Sequence, residues 1–233
     1  MKRKQLIMKY KGLILDIDNT LYDYQSCHTK ALMAITQYFE NEFSIDEKLC
    51  LSSYDKGRKN IHLKLNGYAA SHNRLLYFQE MCNILNINPL KYALKLSSIY
   101  WNVFLDNMKL FDGVHDLLSY YKNKICFTTD LTADIQYKKI EKLNLSKFSH
   151  LIVTSEESGI EKPHPYIFLL SLKKLQTKTS EVCMIGDNFD KDIVGARNLN
   201  IDCIWLNNNN NKINLTDSKI TEVNKFNEII KFV

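Results

Sequence analysis

Two aspartates close an apolar run in Leu13-Ile14-Leu15-Asp16-Ile17-Asp18-Asn19-Thr20-Leu21. In an extended chain, positions i and i+2 face the same way, so Asp16 and Asp18 share one side. Two carboxylates on one face repel each other unless a cation lies between them. A magnesium ion with a phosphorylated substrate is one solution. The alternative is a strand running into an Asp/Asn turn. An ionised aspartate can attack phosphorus without a base, and Asp16, at the strand tip, is the better-placed nucleophile. Asp18 can protonate the leaving oxygen and then activate water to cleave the aspartyl-phosphate.

Three further segments supply complementary groups. Residues 125–130 form an apolar run ending in Thr128 and Thr129, hydroxyls that can hold phosphate oxygens together with the N–H groups that follow. Thr129 or Thr132 can equally cap the next helix. Lys162, next to the stiffening Pro163, is a fixed cation able to neutralise phosphate and nucleophile. Residues 184–196 again run from an apolar strand into Gly186-Asp187-Asn188. Gly186 permits close backbone approach, Asp187 can complete the magnesium site, and Asn188 and Asp192 can support it. Asp190 reads as a helix-start acid favoured by the dipole. Magnesium is the expected cofactor, because Asp16, Asp18 and Asp187 are hard oxygen ligands and there is no Cys/His cluster to suit zinc.

Five short β-rich runs must position these groups: residues 12–16, 124–128, 151–154, 182–185 and 203–206. Helical patterns over 114–121, 133–143, 166–175 and 191–199 alternate with them. In the second, Thr132 is the N-cap candidate and Ile135, Ile140 and Leu143 form the stripe. Pro165 suits the first turn of the third. Alternation at this spacing predicts a parallel sheet with helices on both faces. The candidate residues then gather where strand C-termini share an edge. Residues 24–109 break the rhythm, with helical stretches over 30–39, 75–85 and 94–104 and a break at Asn88-Pro89. They read as an all-helical insertion. Residues 1–23 and 110–233 form the core, closed by a last strand and helix after residue 220.

With 233 residues and 45% hydrophobic content the chain can bury a sizeable core. The net charge of +5 suits an anionic small substrate. No basic tract with interleaved aromatics points to a nucleic-acid polymer, and no apolar run has the length of a membrane span. Six scattered cysteines, with Cys126, Cys183 and Cys203 in apolar runs, predict buried thiols and a reducing, cytoplasmic setting. The basic residues 1–10 show no signal-peptide pattern.

Asp16-Ile17-Asp18-Asn19-Thr20-Leu21, Thr128, Lys162-Pro163 and Gly186-Asp187-x-x-x-x-Asp192 resemble the four motifs of the haloacid dehalogenase-like hydrolases, in the subfamily with a helical cap after the first motif. The resemblance spans roughly residues 12–206. It implies a Rossmann-like α/β sheet of order 5-4-1-2-3 with a helical cap, Asp16 as nucleophile, an aspartyl-phosphate, and a magnesium ion held by Asp16, Asp187 and the backbone carbonyl of Asp18. Dehalogenases of the family generally lack the second aspartate, so Asp18 favours phosphate ester hydrolysis. The second motif departs from the pattern, with Thr129-Asp130 where Asn-Gly is usual. That carboxylate would repel substrate, bind a substrate hydroxyl or turn into the helix start.

The leading expectation is therefore a magnesium-dependent phosphatase for a small phosphorylated metabolite, a nucleotide or a sugar phosphate. The cap is expected to supply specificity, with Tyr22, Lys56, Arg58 and His62 as candidate contacts. A sugar phosphomutase and a non-catalytic binding module are the alternatives.

Overall fold

The computed structural model describes residues 8–233. Most of the basic segment 1–10 therefore lies outside the described residues. Strand β1 (Gly12–Leu15) is followed by four long helices, α1 (Tyr24–Phe43), α2 (Glu47–Leu65), α3 (Arg74–Ile84) and α4 (Pro89–Asp106). Helix α5 (Val114–Tyr120) then leads into β2 (Ile125–Thr129), α6 (Ala133–Lys142), β3 (Leu151–Thr154), a short α7 (Ser155–Ser158) and α8 (Pro165–Leu175). The chain ends with β4 (Val182–Gly186), a helical segment over 189–197, β5 (Asp202–Leu206), β6 (Ile220–Val223) and a 3-10 turn over Phe226–Lys231.

All six strands are parallel, in the order β3-β2-β1-β4-β5-β6. This is the expected 5-4-1-2-3 sheet with one more parallel strand, β6, on the β5 edge. Alternate residues of each strand feed opposite cores, as the period of two requires. Leu13, Leu15, Phe127 and Ile185 join the larger core beneath α5, α6 and the inserted helices. Ile14, Cys126, Met184 and Trp205 join the core formed with α8, Ile193 and Ala196. All six cysteines are buried free thiols. Among the described residues, no helix is long and apolar enough to cross a membrane.

Helices α1–α4 lie between β1 and β2 in the chain, as an insertion, and form their own aromatic core around Tyr54, Tyr77, Phe78, Tyr100 and Phe104. The chain leaves and re-enters the sheet through adjacent segments, with Tyr22 bridged antiparallel to Leu110. The start signals are side-chain caps: Asp23 for α1, Asp46 for α2, Asn73 for α3 and Asn88 for α4 each accept from a first-turn N–H. Asn88-Pro89 is thus a helix start, with Pro at a position whose N–H has no helical partner anyway. Two expectations shift. Helix α2 was absent from the sequence pattern because its exposed face is mixed and strongly polar. Thr132 occupies the cap position of α6 but makes no capping bond; the Glu156 carboxylate reaches across and accepts from Ala133 N–H at 2.7 Å.

Candidate active site

Strand order reverses at β1, where β2 and β4 flank it, and the carboxylates converge at that C-terminal edge. Asp16, just past β1, is 5% exposed. Its Oδ1 accepts from Lys162 Nζ at 2.7 Å and its Oδ2 from Thr20 Oγ1 at 2.8 Å. The Thr20 hydroxyl comes back to Asp16 because Asn19, at φ 64°, turns the chain in the left-handed region that Asn tolerates. Lys162 Nζ also donates to Asp192 Oδ1 at 2.6 Å and to the Thr128 carbonyl at 3.2 Å. One buried ammonium therefore serves two buried carboxylates.

Asp187 follows β4 and lines the same cavity. Asp192 comes from the wide, π-helical turn that starts at Phe189. Its Oδ2 accepts from Asn188 N–H at 3.0 Å, and Asn188 in turn caps that turn through Lys191 N–H. Gly186 is required here: a Cβ would lie 2.3 Å from Asp192 Oδ2, so the carboxylate occupies the space a side chain would take. Asp16, Asp187 and Asp192 each offer an oxygen, and these atoms all lie within 4.8 Å of one another. Burial raises the Asp16 carboxyl well above the ordinary range, against the pull of Lys162. Burial, then Asp192, pushes Asp187 up to about 7. Three carboxylates, Asp16 and Asp192 buried and Asp187 half-buried, with a single ammonium partner are short of positive charge, and an all-oxygen donor set fits a hard divalent cation.

Asp18 is built differently. Its carboxylate is turned to Lys139, at 2.6 and 2.7 Å, to Gln136 Nε2 at 3.1 Å and to the Tyr22 hydroxyl. Burial would raise Asp18, yet Lys139 and these hydrogen bonds hold it below the ordinary carboxylate range. The carboxylate is therefore absent from the oxygen trio, and only the backbone carbonyl that the resemblance assigns remains for a metal. Lys139 itself is fully buried, and desolvation lowers its pKa. Sequence reasoning missed Gln136 and Lys139. The stripe assigned to α6 was Ile135, Ile140 and Leu143, whereas its buried face carries Ile135, Gln136 and Lys139. The available signal was two polar residues three apart and in phase with Leu143.

Three other expectations are corrected. Thr128 is fully buried, with its hydroxyl 2.7 Å from Ser171 on α8, whereas Thr129 lines the cavity. Strand alternation sends neighbouring side chains to opposite faces, so Thr129 is the hydroxyl at the site, held by Gln136 at 2.8 Å. Asp130 lines the cavity, but its carboxylate oxygens are engaged by neighbouring groups. It accepts from Lys162 N–H at 3.0 Å and from Lys191 Nζ at 2.8 Å, fastening the loop that carries Lys162. Tyr22 is fully buried and serves Asp18 instead of the cavity. Of the basic candidates in the insertion, Arg58 lines the cavity. His62 stands behind it with Nε2 2.8 Å from the Tyr77 hydroxyl, and Lys56 is exposed outside the cavity wall.

The cavity, about 570 Å³, lies between the sheet edge and the inserted helices. Glu161 ties the two together. Its N–H donates to the Gly67 carbonyl at 3.0 Å, and its carboxylate meets Ser71 Oγ at 3.1 Å and His72 Nε2 at 2.9 Å. Burial opposes ionisation of Glu161, but His72 and Lys191 pull it down to about 2.

The sequence pattern of the haloacid dehalogenase-like hydrolases matches residues 10–200. The chain belongs to that family. It is 34% identical over 198 residues to the ribulose-1,5-bisphosphate 5-phosphatase of Halopiger xanaduensis, covering 83% of each chain. It is 25% identical over 205 residues to the pyrimidine 5'-nucleotidase YjjG of Escherichia coli, covering 86% of this chain and 87% of that protein. Among solved structures, a haloacid dehalogenase-like phosphatase from Thermococcus onnurineus superposes with a TM-score of 0.71 at 19% identity, covering 95% of this chain and 96% of that one. A 2-haloacid dehalogenase from Pseudomonas syringae gives 0.73 at 20% identity, covering 95% and 97%. These two structures share the fold.

Proposed function

We propose that this hydrolase is a magnesium-dependent phosphatase acting on a small phosphate monoester through an aspartyl-phosphate on Asp16. The observation that carries the proposal is the convergence of Asp16, Lys162, Asp187 and Asp192 on one buried sheet edge, with Asp18 two residues beyond Asp16. The relatives named as phosphatases and as a nucleotidase support the same class of reaction. A structure of the family member YfnB from Bacillus subtilis was obtained with magnesium bound. Asp16, Asp187 and Asp192, with the Asp18 carbonyl, would hold the ion here. When bound, it would offset phosphate charge and the mutual repulsion of the carboxylates.

In this account Lys162 and Thr20 each hold one oxygen of Asp16, which lines the cavity. Attack by Asp16 on phosphorus displaces the alkoxide; Asp18 can supply its proton only after parting from Lys139 and taking up a proton, because the resting pair holds it as a carboxylate. Thr129 and the N–H groups after β2 receive phosphate oxygens as charge develops. Asp18, then a carboxylate again and held so by Lys139, removes a proton from the water that cleaves the acyl phosphate. The inserted helices cover the cavity and exclude bulk water. The test is phosphate release from a panel of sugar phosphates and nucleoside monophosphates with purified protein. Activity should require magnesium, vanish with a chelator and return on adding the ion. Full turnover in metal-free buffer would remove magnesium from the proposal, and no release from any ester would remove the phosphatase assignment.

A further inference from the structure

The two sides of the cavity differ in how their charges are met. On the sheet side each buried or half-buried cation has carboxylate partners: Lys162 has Asp16 and Asp192, Lys191 has Asp130 and Glu161, and Lys139 has Asp18. On the other side, Arg58 of α2 and Arg74 of α3 line the same cavity. Among the described residues, neither has a carboxylate within ion-pair distance.

Arg74 is the more telling of the two. It is 5% exposed. One terminal nitrogen donates to the His72 carbonyl at 2.8 Å and the other to the Tyr24 hydroxyl, while Nε is buried without a partner. The rings of Tyr77, Tyr100 and Trp101 surround its guanidinium carbon at 5.0, 5.3 and 5.5 Å. Such a cage fixes the group and attracts it, but it does not neutralise the charge. A buried cation without a counter-ion carries an unrepaid desolvation cost. His28, also on the wall, has Nδ1 2.6 Å from the Tyr100 hydroxyl. Burial, then Arg74 and Arg58, pushes His28 down to about 4, so the imidazole is neutral and can donate to an anion beside the arginines.

The cavity is also larger than one phosphate group requires. At about 570 Å³ it lies in the range of sites that enclose whole small ligands, roughly 300–1,000 Å³. A phosphate ester docked by its phosphate at Asp16 extends toward the arginine wall. A planar guanidinium with free N–H groups matches a phosphate or carboxylate.

We infer that Arg58 and Arg74 form a second anion site, and that the substrate is a small phosphate ester bearing a second anionic group. One phosphate is cleaved at Asp16, while a second phosphate or a carboxylate rests on the arginine wall. The inference deepens the phosphatase proposal and rests on it.

Matched substrate pairs test it. Ribose 1,5-bisphosphate is compared with ribose 5-phosphate, and 3-phosphoglycerate with glycerol 3-phosphate, with 4-nitrophenyl phosphate as the reference ester. The member with the second anionic group should have, in at least one pair, a kcat/KM higher by about tenfold or more. The pair that shows the preference tells a phosphate from a carboxylate. Arg58→Gln and Arg74→Lys should each shrink that ratio, mainly through KM. Arg58 is exposed, so its variant keeps the test open should Arg74→Lys fail to fold. Binding of the same compounds to Asp16→Asn, measured by calorimetry, gives the comparison without turnover. Equal affinities within both pairs, or a preference that survives Arg58→Gln and Arg74→Lys, would overturn the inference. Absence of any phosphate release, the reference ester included, would instead overturn the phosphatase proposal.

Discussion

The sheet edge and the helical wall opposite it face one cavity with opposite charge surpluses. The sheet edge gathers Asp16, Asp187 and Asp192 around a single lysine. The helical wall presents two guanidinium groups, of which Arg74 is held by carbonyl, hydroxyl and aromatic contacts and Arg58 is exposed on the cavity side. The difference teaches where each region draws its order. Charges at the sheet edge fix one another and are pinned by strand ends. On the wall, Arg74 is positioned by neutral groups, and both guanidinium charges are left for something else to meet.

Breaking the sheet side should have the largest effect. Asp16→Asn removes the nucleophile while nearly preserving volume, so turnover should fall by about four powers of ten or more, at ~1.4 kcal/mol per tenfold. Circular dichroism should show an intact fold. Substantial residual activity in a contamination-free preparation would take that role from Asp16.

A second comparison sets two buried cations against each other. Lys139→Met strands the Asp18 carboxylate, and removing one partner of a buried pair costs about 3–5 kcal/mol. Asp18 keeps some solvent contact, so the lower end is expected. Arg74→Met strands no carboxylate and should cost distinctly less. Denaturant midpoints of the two variants and of Asp18→Asn/Lys139→Met read this directly, with the double variant recovering part of the loss. Equal costs for Lys139→Met and Arg74→Met would erase the asymmetry between the two regions.

The pH dependence of stability sharpens the same contrast. Burial comes first in pushing both His28 and His62 from 6.5 down to about 4, with arginines adding to it. The unfolded chain therefore binds more protons than the folded one between these values. The histidine contribution is full above 6.5 and is lost as pH falls toward 4, while the raised Asp187 carboxyl works the other way below about 7. Glu161, depressed to about 2, adds a further loss between 4.5 and 2. His28→Gln should flatten the first part of the decline in urea titrations at successive pH values, and an unchanged slope would remove His28 from it. The smallest effect is expected at His62, which stands behind the wall. His62→Ala should alter KM for natural esters less than Arg58→Ala does, and the reverse order would place His62 on the substrate.

The strands and the carboxylates at their tips were legible because a strand end fixes side-chain direction within a few residues, whereas the order about β1 came from the family resemblance. Asp16, Lys162 and Asp187 needed only their local segments to be read. The extra strand β6 was visible as a run but not as a parallel partner of β5. Lys139 escaped because a lysine on an amphipathic helix normally faces water, and only the distant carboxylate of Asp18 reverses that preference. Arg74 sits at the start of α3, where helical periodicity says little about direction, and its cage comes from α3 and α4 together. The Thr128 and Thr129 assignments turned on one residue of register, which strand alternation settles once β2 is placed.

The central claim is that Asp16 carries the phosphoryl group. Asp18→Asn should slow hydrolysis of the acyl phosphate, so this variant is mixed with magnesium and 4-nitrophenyl phosphate, whose leaving group needs little proton assistance. Rapid acid quench followed by peptide mass spectrometry should find the phosphoryl group on the peptide containing Asp16, and borohydride should convert that residue to homoserine. A phosphoryl group on another side chain, or steady turnover with no covalent species at any quench time, would contradict the account.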